Sequence, residues 1–162
     1  MADNTLNIQN QQEADNETND QFLSFYLDEE EYAVEILLVQ EIVRNFKPSK
    51  VPNANNIIQG MVNFRGKVIP LMDIRAKLGL PTRENDNLTV SIVVESKGKN
   101  IGMTVDQVYD IVSLSEKNIQ AVDDNIHDLK AEHLKGMGKT GDRLILLLDL
   151  NKVLSFEDAK GR

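Results

Sequence analysis

From residue 21 onward, the hydrophobic residues fall into short runs rich in β-branched and aromatic side chains, separated by polar turns. Two of these turns, residues 28–31 and 97–100, are each flanked by such runs, namely residues 22–27, 32–34, 88–95 and 101–105. Two runs around a short polar turn predict a β-hairpin. The pattern therefore predicts a β-rich domain that contains at least two hairpins.

A different unit follows the first hairpin. Residues 68–72 read as a strand that leads into a short helix over residues 73–78, with Gly79 at the position of a C-terminal cap. Pro70 has no N–H to donate, so we expect its strand to lie at a sheet edge or a bulge there.

The chain also repeats itself. A shift of 76 residues aligns two segments without a gap, placing Gly60, Met61, Ile69, Leu71, Asp73 and Leu78 on Gly136, Met137, Ile145, Leu147, Asp149 and Leu154. A shift of 69 residues superimposes the hairpin turns and places Val39, Ile42 and Val43 on Val108, Ile111 and Val112. The two shifts differ by seven residues, which the longer loop 113–133 of the second repeat accommodates. Two ungapped registers with coincident turns indicate an internal duplication.

The duplication predicts two lobe-forming repeats, at about residues 22–80 and 88–156, each a small barrel-like lobe of about five strands. Lobes of this size bury too little apolar surface alone, so we expect them to share a core. Asp73 and Asp149 occupy the same repeat position at a strand-to-helix junction, where a carboxylate caps the first helical turn.

Charge and composition exclude several classes of function. Residues 1–20 carry five of the eight net negative charges and few large apolar residues, which predicts a disordered acidic and polar tail. The acidic balance argues against binding to nucleic acid or to an anionic membrane. We find no apolar stretch that could insert into a bilayer and no signal-peptide pattern, so the protein is expected to remain in the cytoplasm. Cysteine is absent, which rules out disulfides and thiolate chemistry.

Catalytic groups are scarce. The chain has only two histidines and no Gly-flanked serine of the nucleophile-elbow type, so we predict no enzyme and no catalytic residue. One dense set of potential metal ligands exists, formed by Asp123, Asp124, His127, Asp128, Glu132 and His133. Its spacing does not bring both imidazoles to one helix face, and we interpret it as a solvated loop that binds no metal. A metal-dependent enzyme that uses the acidic loop 123–133 remains the alternative from another class.

The segment 60–66 contains glycines but lacks the residues of a phosphate-binding loop. We interpret it as a tight turn between strands 61–64 and 67–72, with Gly66 supplying a positive φ. The turn does not require Arg65, because the aligned residue of the other repeat is Gly141. A guanidinium held at a turn is suited to a forked contact with a carboxylate of another protein.

Seven motifs follow one another along the chain: Phe22-Leu23-Ser24-Phe25, Glu31-Tyr32-Ala33-Val34-Glu35-Ile36, Val39-Gln40-Glu41-Ile42, Ile58-Gln59-Gly60, Asn63-Phe64-Arg65-Gly66, Val68-Ile69-Pro70-Leu71-Met72-Asp73-Ile74-Arg75 and Leu134-Lys135-Gly136-Met137-Gly138. Taken in this order, they resemble the CheW family of chemotaxis coupling proteins. The resemblance spans about residues 21–156, the whole part predicted to fold.

The resemblance implies a mostly β fold of two intertwined five-stranded SH3-like barrels that share a core, with short helices and a C-terminal helix. It implies an adaptor without a cofactor, which couples the cytoplasmic tip of a methyl-accepting chemoreceptor to the regulatory domain of the histidine kinase CheA in membrane-associated arrays. Val39, Glu41, Gly60 and Arg65 match positions of receptor or array contact, whereas no residue is assigned to the kinase. A CheA-like regulatory module is the alternative within this class.

Overall fold

The structure, a computed structural model, describes residues 19–44, 46, 57–81, 83–122 and 129–155. The predicted tail lies outside the described residues except for its last two positions. Four members of the predicted acidic cluster also lie outside them, namely Asp123, Asp124, His127 and Asp128. None of the helices in the described ranges has the length and apolar character needed to span a bilayer.

The described chain is built mainly of strands. In chain order these are β1 (Asn19–Leu27), β2 (Glu30–Glu35), β3 (Val39–Arg44), β4 (Ile58–Phe64), β5 (Lys67–Asp73), β6 (Val90–Ser96), β7 (Lys99–Val105), β8 (Gln107–Ser115), β9 (Ile119–Gln120), β10 (Leu134–Thr140) and β11 (Arg143–Leu148). Three one-turn helices accompany them, α1 (Ile74–Lys77), α2 (Leu129–Glu132) and α3 (Leu150–Val153), with two 3-10 turns, η1 (Ile36–Leu38) and η2 (Glu116–Asn118).

The strands form two sheets that define two lobes. Lobe 1 has the strand order β8-β1-β2-β11-β10-β9, and lobe 2 has the order β3-β6-β7-β5-β4. If each strand is replaced by its equivalent in the other repeat, the order of lobe 2 reproduces that of the first five strands of lobe 1. The fold therefore has an internal pseudo-twofold symmetry, as the duplication predicts.

The repeats do not each close into a lobe of their own, and here the repeat-based expectation for residues 22–80 and 88–156 needs correction. The first hairpin of each repeat is inserted between strands of the other repeat, through an antiparallel pair on one side and a parallel pair on the other. This exchange is the intertwined arrangement that the family resemblance implies. It allows two short-stranded sheets to bury far more apolar surface than either repeat buries alone.

The core has three parts. A shared core between the lobes includes buried residues from both sheets, among them Phe25, Tyr32, Ile92 and Met103. The interior of lobe 1 is a separate cluster, formed by Phe22, Ala33, Val112, Leu114, Ile145 and Leu147. The interior of lobe 2 is smaller and contains Phe64, Ile69 and Val93.

Local features follow the sequence closely. Asp73 and Asp149 both cap helices, because their side chains accept hydrogen bonds from the backbone N–H of Arg75 and Asn151, each at 3.0 Å. The hairpin turns are tighter than predicted, with only two residues between the paired strands. On one side of β5, Pro70 pairs with Met61 of β4. On the other side, the ladder with β7 begins only at Leu71, so Pro70 is at a locally unpaired edge there, as predicted.

Candidate functional site

Of the four site residues predicted from sequence, Glu41 and Arg65 come together. Glu41 lies on β3 and Arg65 on the β4–β5 turn, at opposite ends of the strand order of lobe 2. Their side chains approach to 3.4 Å between Arg65 Nη2 and Glu41 Oε1, with 63% and 46% of the two side chains exposed. An exposed pair contributes about 0–1 kcal/mol to stability, so its location matters more than its strength.

The turn that carries Arg65 places the arginine in the left-handed region. The φ angles of Arg65 and Gly66 are 52° and 81°, which confirms the predicted positive φ of Gly66 and matches a type I′ hairpin turn. The equivalent turn of lobe 1 has Gly141 at the first position, with a φ of 60°. A side chain in this conformation costs about 1–2 kcal/mol relative to the right-handed one. The fold thus has no need of an arginine here.

Arg65 is nevertheless held in place. Its guanidinium carbon lies 4.8 Å from the centroid of the Phe64 ring, which is buried in the interior of lobe 2. The Phe64 ring and the carboxylate of Glu41 hold a largely exposed cation at the surface. Such a group can make a forked contact with a carboxylate of a partner.

Val39 takes a different position. It begins β3, is half-buried and packs against the shared core. The β3–β6 pairing shifts register between Val39 and Glu41, so Gln40 forms a bulge between them. Val108, the repeat equivalent of Val39 on β8, is also half-buried against the same core. A partly exposed apolar residue therefore lies at the same place in each lobe.

Gly60 is buried within β4 and pairs with Leu71 of β5. Its φ of 155° and the register shift beside it identify a bulge that glycine accommodates readily. Arg65 lies five positions further along the chain, which corresponds to about 17 Å of extended chain. Gly60 does not join the Glu41–Arg65 pair, and any effect of this residue on binding acts through the backbone of β4.

Exposed apolar residues form a feature that sequence reasoning missed. In lobe 2 these are Ile42 and Val68, which are 38% and 65% exposed, and their repeat equivalents in lobe 1 are Ile111 and Leu144, at 55% and 50%. In lobe 1, Arg143 forms an ion pair with Asp110, the repeat equivalent of Glu41, with 3.3 Å between Arg143 Nη1 and Asp110 Oδ2. The repeat alignment already matched Ile42 with Ile111, but it gave no information on exposure.

A buried ion-pair network was also missed. Arg75 is 4% exposed; its Nε donates to Asp106 Oδ1 at 2.8 Å, and its Nη2 contacts Asp28 at 2.6 Å. The hydrogen bonds to Asp106 raise the pKa of Arg75 above its ordinary value, with a smaller contribution from Asp28. The network joins the β1–β2 turn of lobe 1 to α1, which follows β5 of lobe 2. The network therefore connects the two lobes through buried, charge-assisted hydrogen bonds.

A cleft of about 600 Å³ lies between the lobes. We call it the interlobe cleft, and its lining consists of Glu35, Leu37, Leu38, Gln40, Glu95, Ser96, Lys97, Lys135, Leu148, Asp149, Leu150 and Asn151. Neither Glu41 nor Arg65 lines it. Gln40, the bulged residue beside Val39, connects the cleft to the strand that carries the predicted site.

Two members of the predicted acidic cluster lie within the described residues. His133 is buried, and its carbonyl oxygen accepts a hydrogen bond from the N–H of Asp149 at 2.9 Å, whereas Glu132 is exposed. Within the described ranges, no three carboxylates or imidazoles lie close enough together to hold a metal ion.

Comparisons with known proteins agree on one family. The family model for the CheW-like domain matches residues 21–158. The chemotaxis protein CheW of Klebsiella aerogenes is 36% identical over 138 residues, covering 85% of this chain and 83% of that protein. CheW of Helicobacter pylori is 32% identical, covering 86% and 84%. The crystal structure of the scaffolding protein TtCheW from Thermoanaerobacter tengcongensis superimposes with a TM-score of 0.76 at 29% identity, over 81% of this chain and 89% of that one.

Proposed function

Because this chain belongs to the CheW-like domain family, it is a chemotaxis adaptor, and we propose that it couples methyl-accepting chemoreceptors to the histidine kinase CheA. In this proposal it acts in the cytoplasm at membrane-associated arrays, by docking and without reaction chemistry. The observation that carries the proposal is Arg65. This residue occupies a turn position where the equivalent turn has glycine, and it presents a largely exposed guanidinium.

The receptor surface that we propose is the edge of lobe 2. Val39 supplies an apolar contact that loses water on binding, and Arg65 with Glu41 orients the receptor through charge-assisted hydrogen bonds. Gly60 supports this surface from within β4, because its bulge shapes the strand that leads to the Arg65 turn. The surface is suited to a helical receptor tip that offers both an apolar stripe and a carboxylate.

The kinase surface that we propose lies on lobe 1. Ile111 and Leu144 are the repeat equivalents of Ile42 and Val68, and Tyr109, which lies on β8 with Ile111, is 52% exposed. Arg143 stacks on Tyr109 with its guanidinium carbon 5.1 Å from the ring centroid. Exposed aliphatic side chains together with an aromatic residue and an arginine have the composition of a binding hot spot. The CheA regulatory domain would dock here, lobe against lobe.

With its partners on opposite lobes, the adaptor links receptor conformation to kinase activity through differential binding. The Arg75 network supports this role because it fixes the lobes to each other. A displacement imposed on lobe 2 is then passed to lobe 1 as a rigid-body movement.

Substitution of Arg65 tests the proposal. We expect Arg65→Ala and Arg65→Gly to lower the affinity for a purified receptor cytoplasmic fragment at least tenfold. The free energy of unfolding should stay within about 1 kcal/mol of wild type, because the turn accepts glycine and the surface pair is weak. Lys67→Ala, which removes an exposed cation two residues away, is the matched control and should bind normally. Unchanged receptor binding by both Arg65 variants would refute the assignment.

A further inference from the structure

A second, smaller pocket lies at the end of α3, where that helix meets the β6–β7 hairpin. We call it the α3 pocket, and its volume is about 220 Å³. Ile101 and Leu154 form its apolar wall and are 4% and 8% exposed. Lys97 and Lys99 are its only charged lining residues, and none of the three carboxylates that line the interlobe cleft lines this pocket. Its surface therefore matches an apolar side chain that is accompanied by a carboxylate.

The two lysines of the α3 pocket have no anionic partner among the residues that the structure describes. The repeat equivalent of Lys97 is Asp28, whose carboxylate contacts the guanidinium of Arg75 and so connects the two lobes. Beside the α3 pocket, the equivalent of Arg75 is Asn151, which carries no charge. The charged connection of the other side is thus missing at this position, and a carboxylate near the lysines would restore one.

The chain itself leads into the α3 pocket. Ser155, the last residue that the structure describes, lines the pocket, and its carbonyl oxygen accepts a hydrogen bond from Lys77 Nζ at 3.0 Å. Lys77 is 8% exposed, so the chain is held at the pocket by a buried ammonium group. The next three residues are Phe156, Glu157 and Asp158, and the match to the CheW-like domain extends to the last of them. The Cα atom of Phe156 lies only about 3.8 Å from that of Ser155.

The first repeat shows what a residue at this place does. The shift of 76 residues places Phe156 on Leu80, which follows α1 as Phe156 follows α3. Leu80 is half-buried and packs against the shared core. The fold thus already buries an apolar side chain at the equivalent position.

We propose that residues 156–158 of this chain fill the α3 pocket as an intramolecular strap. The ring of Phe156 packs against the apolar wall, and the carboxylates of Glu157 and Asp158 lie beside the two lysines. The strap connects α3, which follows β11 of lobe 1, to the β6–β7 hairpin of lobe 2. It is the counterpart of the Arg75 network on the other side of the molecule. This inference does not depend on the partners in the proposed function.

Tryptophan fluorescence tests the strap, because the chain contains no tryptophan. In Phe156→Trp, the emission should lie to the blue of that of the same protein in urea, and acrylamide quenching should be at least twofold weaker. Adding Lys97→Glu/Lys99→Glu should move both quantities toward the unfolded values, because the reversed charges repel the strap. Lys117→Glu/Lys139→Glu reverses two exposed lysines outside the pocket. This matched control should leave both quantities unchanged.

Thermal unfolding gives a second measurement that does not depend on the indole. Phe156→Ala, and a chain truncated after Ser155, should both lower Tm by about 3–6 °C, whereas Phe156→Leu should keep most of the stability. A native indole quenched as strongly as in urea, together with an unchanged Tm for Phe156→Ala, would overturn the proposal. A shielded indole that ignores the Lys97 and Lys99 reversal would also overturn it, because the segment would then lie elsewhere. Shielding that increases with protein concentration would identify a second copy as the source of the segment and exclude an intramolecular strap.

Discussion

At the residue scale, the network around Arg75 is the strongest electrostatic feature that joins the two lobes. The Arg75 guanidinium is buried and reaches Asp106, Asp28 and the carbonyl oxygen of Pro81. Arg83 reaches the same Asp106 carboxylate from the segment between the repeats at 3.3 Å, but its side chain is 45% exposed. Removing one member of a buried ion pair leaves the other charge without compensation, which costs more than the pair contributes.

Arg75→Met is therefore expected to lower the free energy of unfolding by about 3–5 kcal/mol, because Asp106 is left buried without its main partner. The double variant Arg75→Met/Asp106→Leu should recover most of this loss. Urea unfolding followed by circular dichroism measures both. Arg83→Met, at the exposed member of the network, is the control and should lose about 1 kcal/mol or less. An equal loss for both arginines would contradict the distinction between buried and exposed members.

Ser91 shows how the two lobe interiors differ at one repeat position. It is the equivalent of Phe22, which fills the interior of lobe 1, whereas in lobe 2 the aromatic ring comes from Phe64 on β4. Ser91 is 1% exposed, and its hydroxyl finds no hydrogen-bond partner within the described residues. A buried hydroxyl without a partner is destabilising.

Ser91→Ala should therefore leave the free energy of unfolding unchanged or raise it by up to about 1 kcal/mol. Chemical unfolding of the two proteins under identical conditions is the measurement. A loss larger than 1 kcal/mol would mean that the hydroxyl is bonded in solution.

At the element scale, the one-turn helices depend on their caps. Asp73 begins α1 and Asp149 begins α3, and each carboxylate accepts a backbone N–H of the first turn. Burial raises the pKa of Asp73 above its ordinary value near 3.8, against the opposing effects of the Arg75 N–H and charge. The folded state thus favours the protonated form of this carboxyl more than the unfolded chain does. The contribution of this group to stability falls as the pH rises from below 3.8 through the folded pKa.

Asparagine at position 73 keeps the acceptor without the charge. We expect Asp73→Asn to be at least as stable as wild type at pH 7, whereas Asp73→Ala loses about 1 kcal/mol with the cap. Thermal unfolding of the three proteins at pH 7 and near pH 3 tests this prediction. The stability advantage of asparagine over aspartate should disappear at the lower pH. A larger advantage near pH 3 than at pH 7 would contradict the raised pKa of Asp73.

Much of the element structure was predictable because its causes are local. The hairpins, the caps at Asp73 and Asp149, and the positive φ of Gly66 all follow from residues close together in the chain. The exchange of strands between repeats was not predictable from the residues alone, because alternation within a strand does not specify a distant pairing partner. The same limit applies to the Arg75–Asp106 pair, whose members lie 31 residues apart.

At the scale of the whole molecule, the exchange makes the two repeats interdependent. Each lobe places the hairpin of one repeat between strands of the other, so neither repeat contains a complete sheet. The unmet backbone hydrogen bonds and the exposed face of the shared core should prevent either repeat from folding alone.

We therefore expect fragments 1–86 and 87–162 to be unfolded when separate and to form the native sheets when mixed. Far-ultraviolet circular dichroism and amide NMR dispersion of each fragment and of the mixture measure this. A natively folded isolated fragment would contradict the exchanged topology.

The proposed receptor and kinase surfaces lie on different lobes, so one rigid molecule can hold two partners at once. Co-sedimentation with receptor-containing membranes tests this claim most directly, using purified CheA with wild-type adaptor, with Arg65→Gly or with no adaptor. The account predicts that CheA reaches the pellet in quantity only with the wild-type adaptor. Equal recovery of CheA in all three samples would contradict the role of this protein as the link between receptor and kinase.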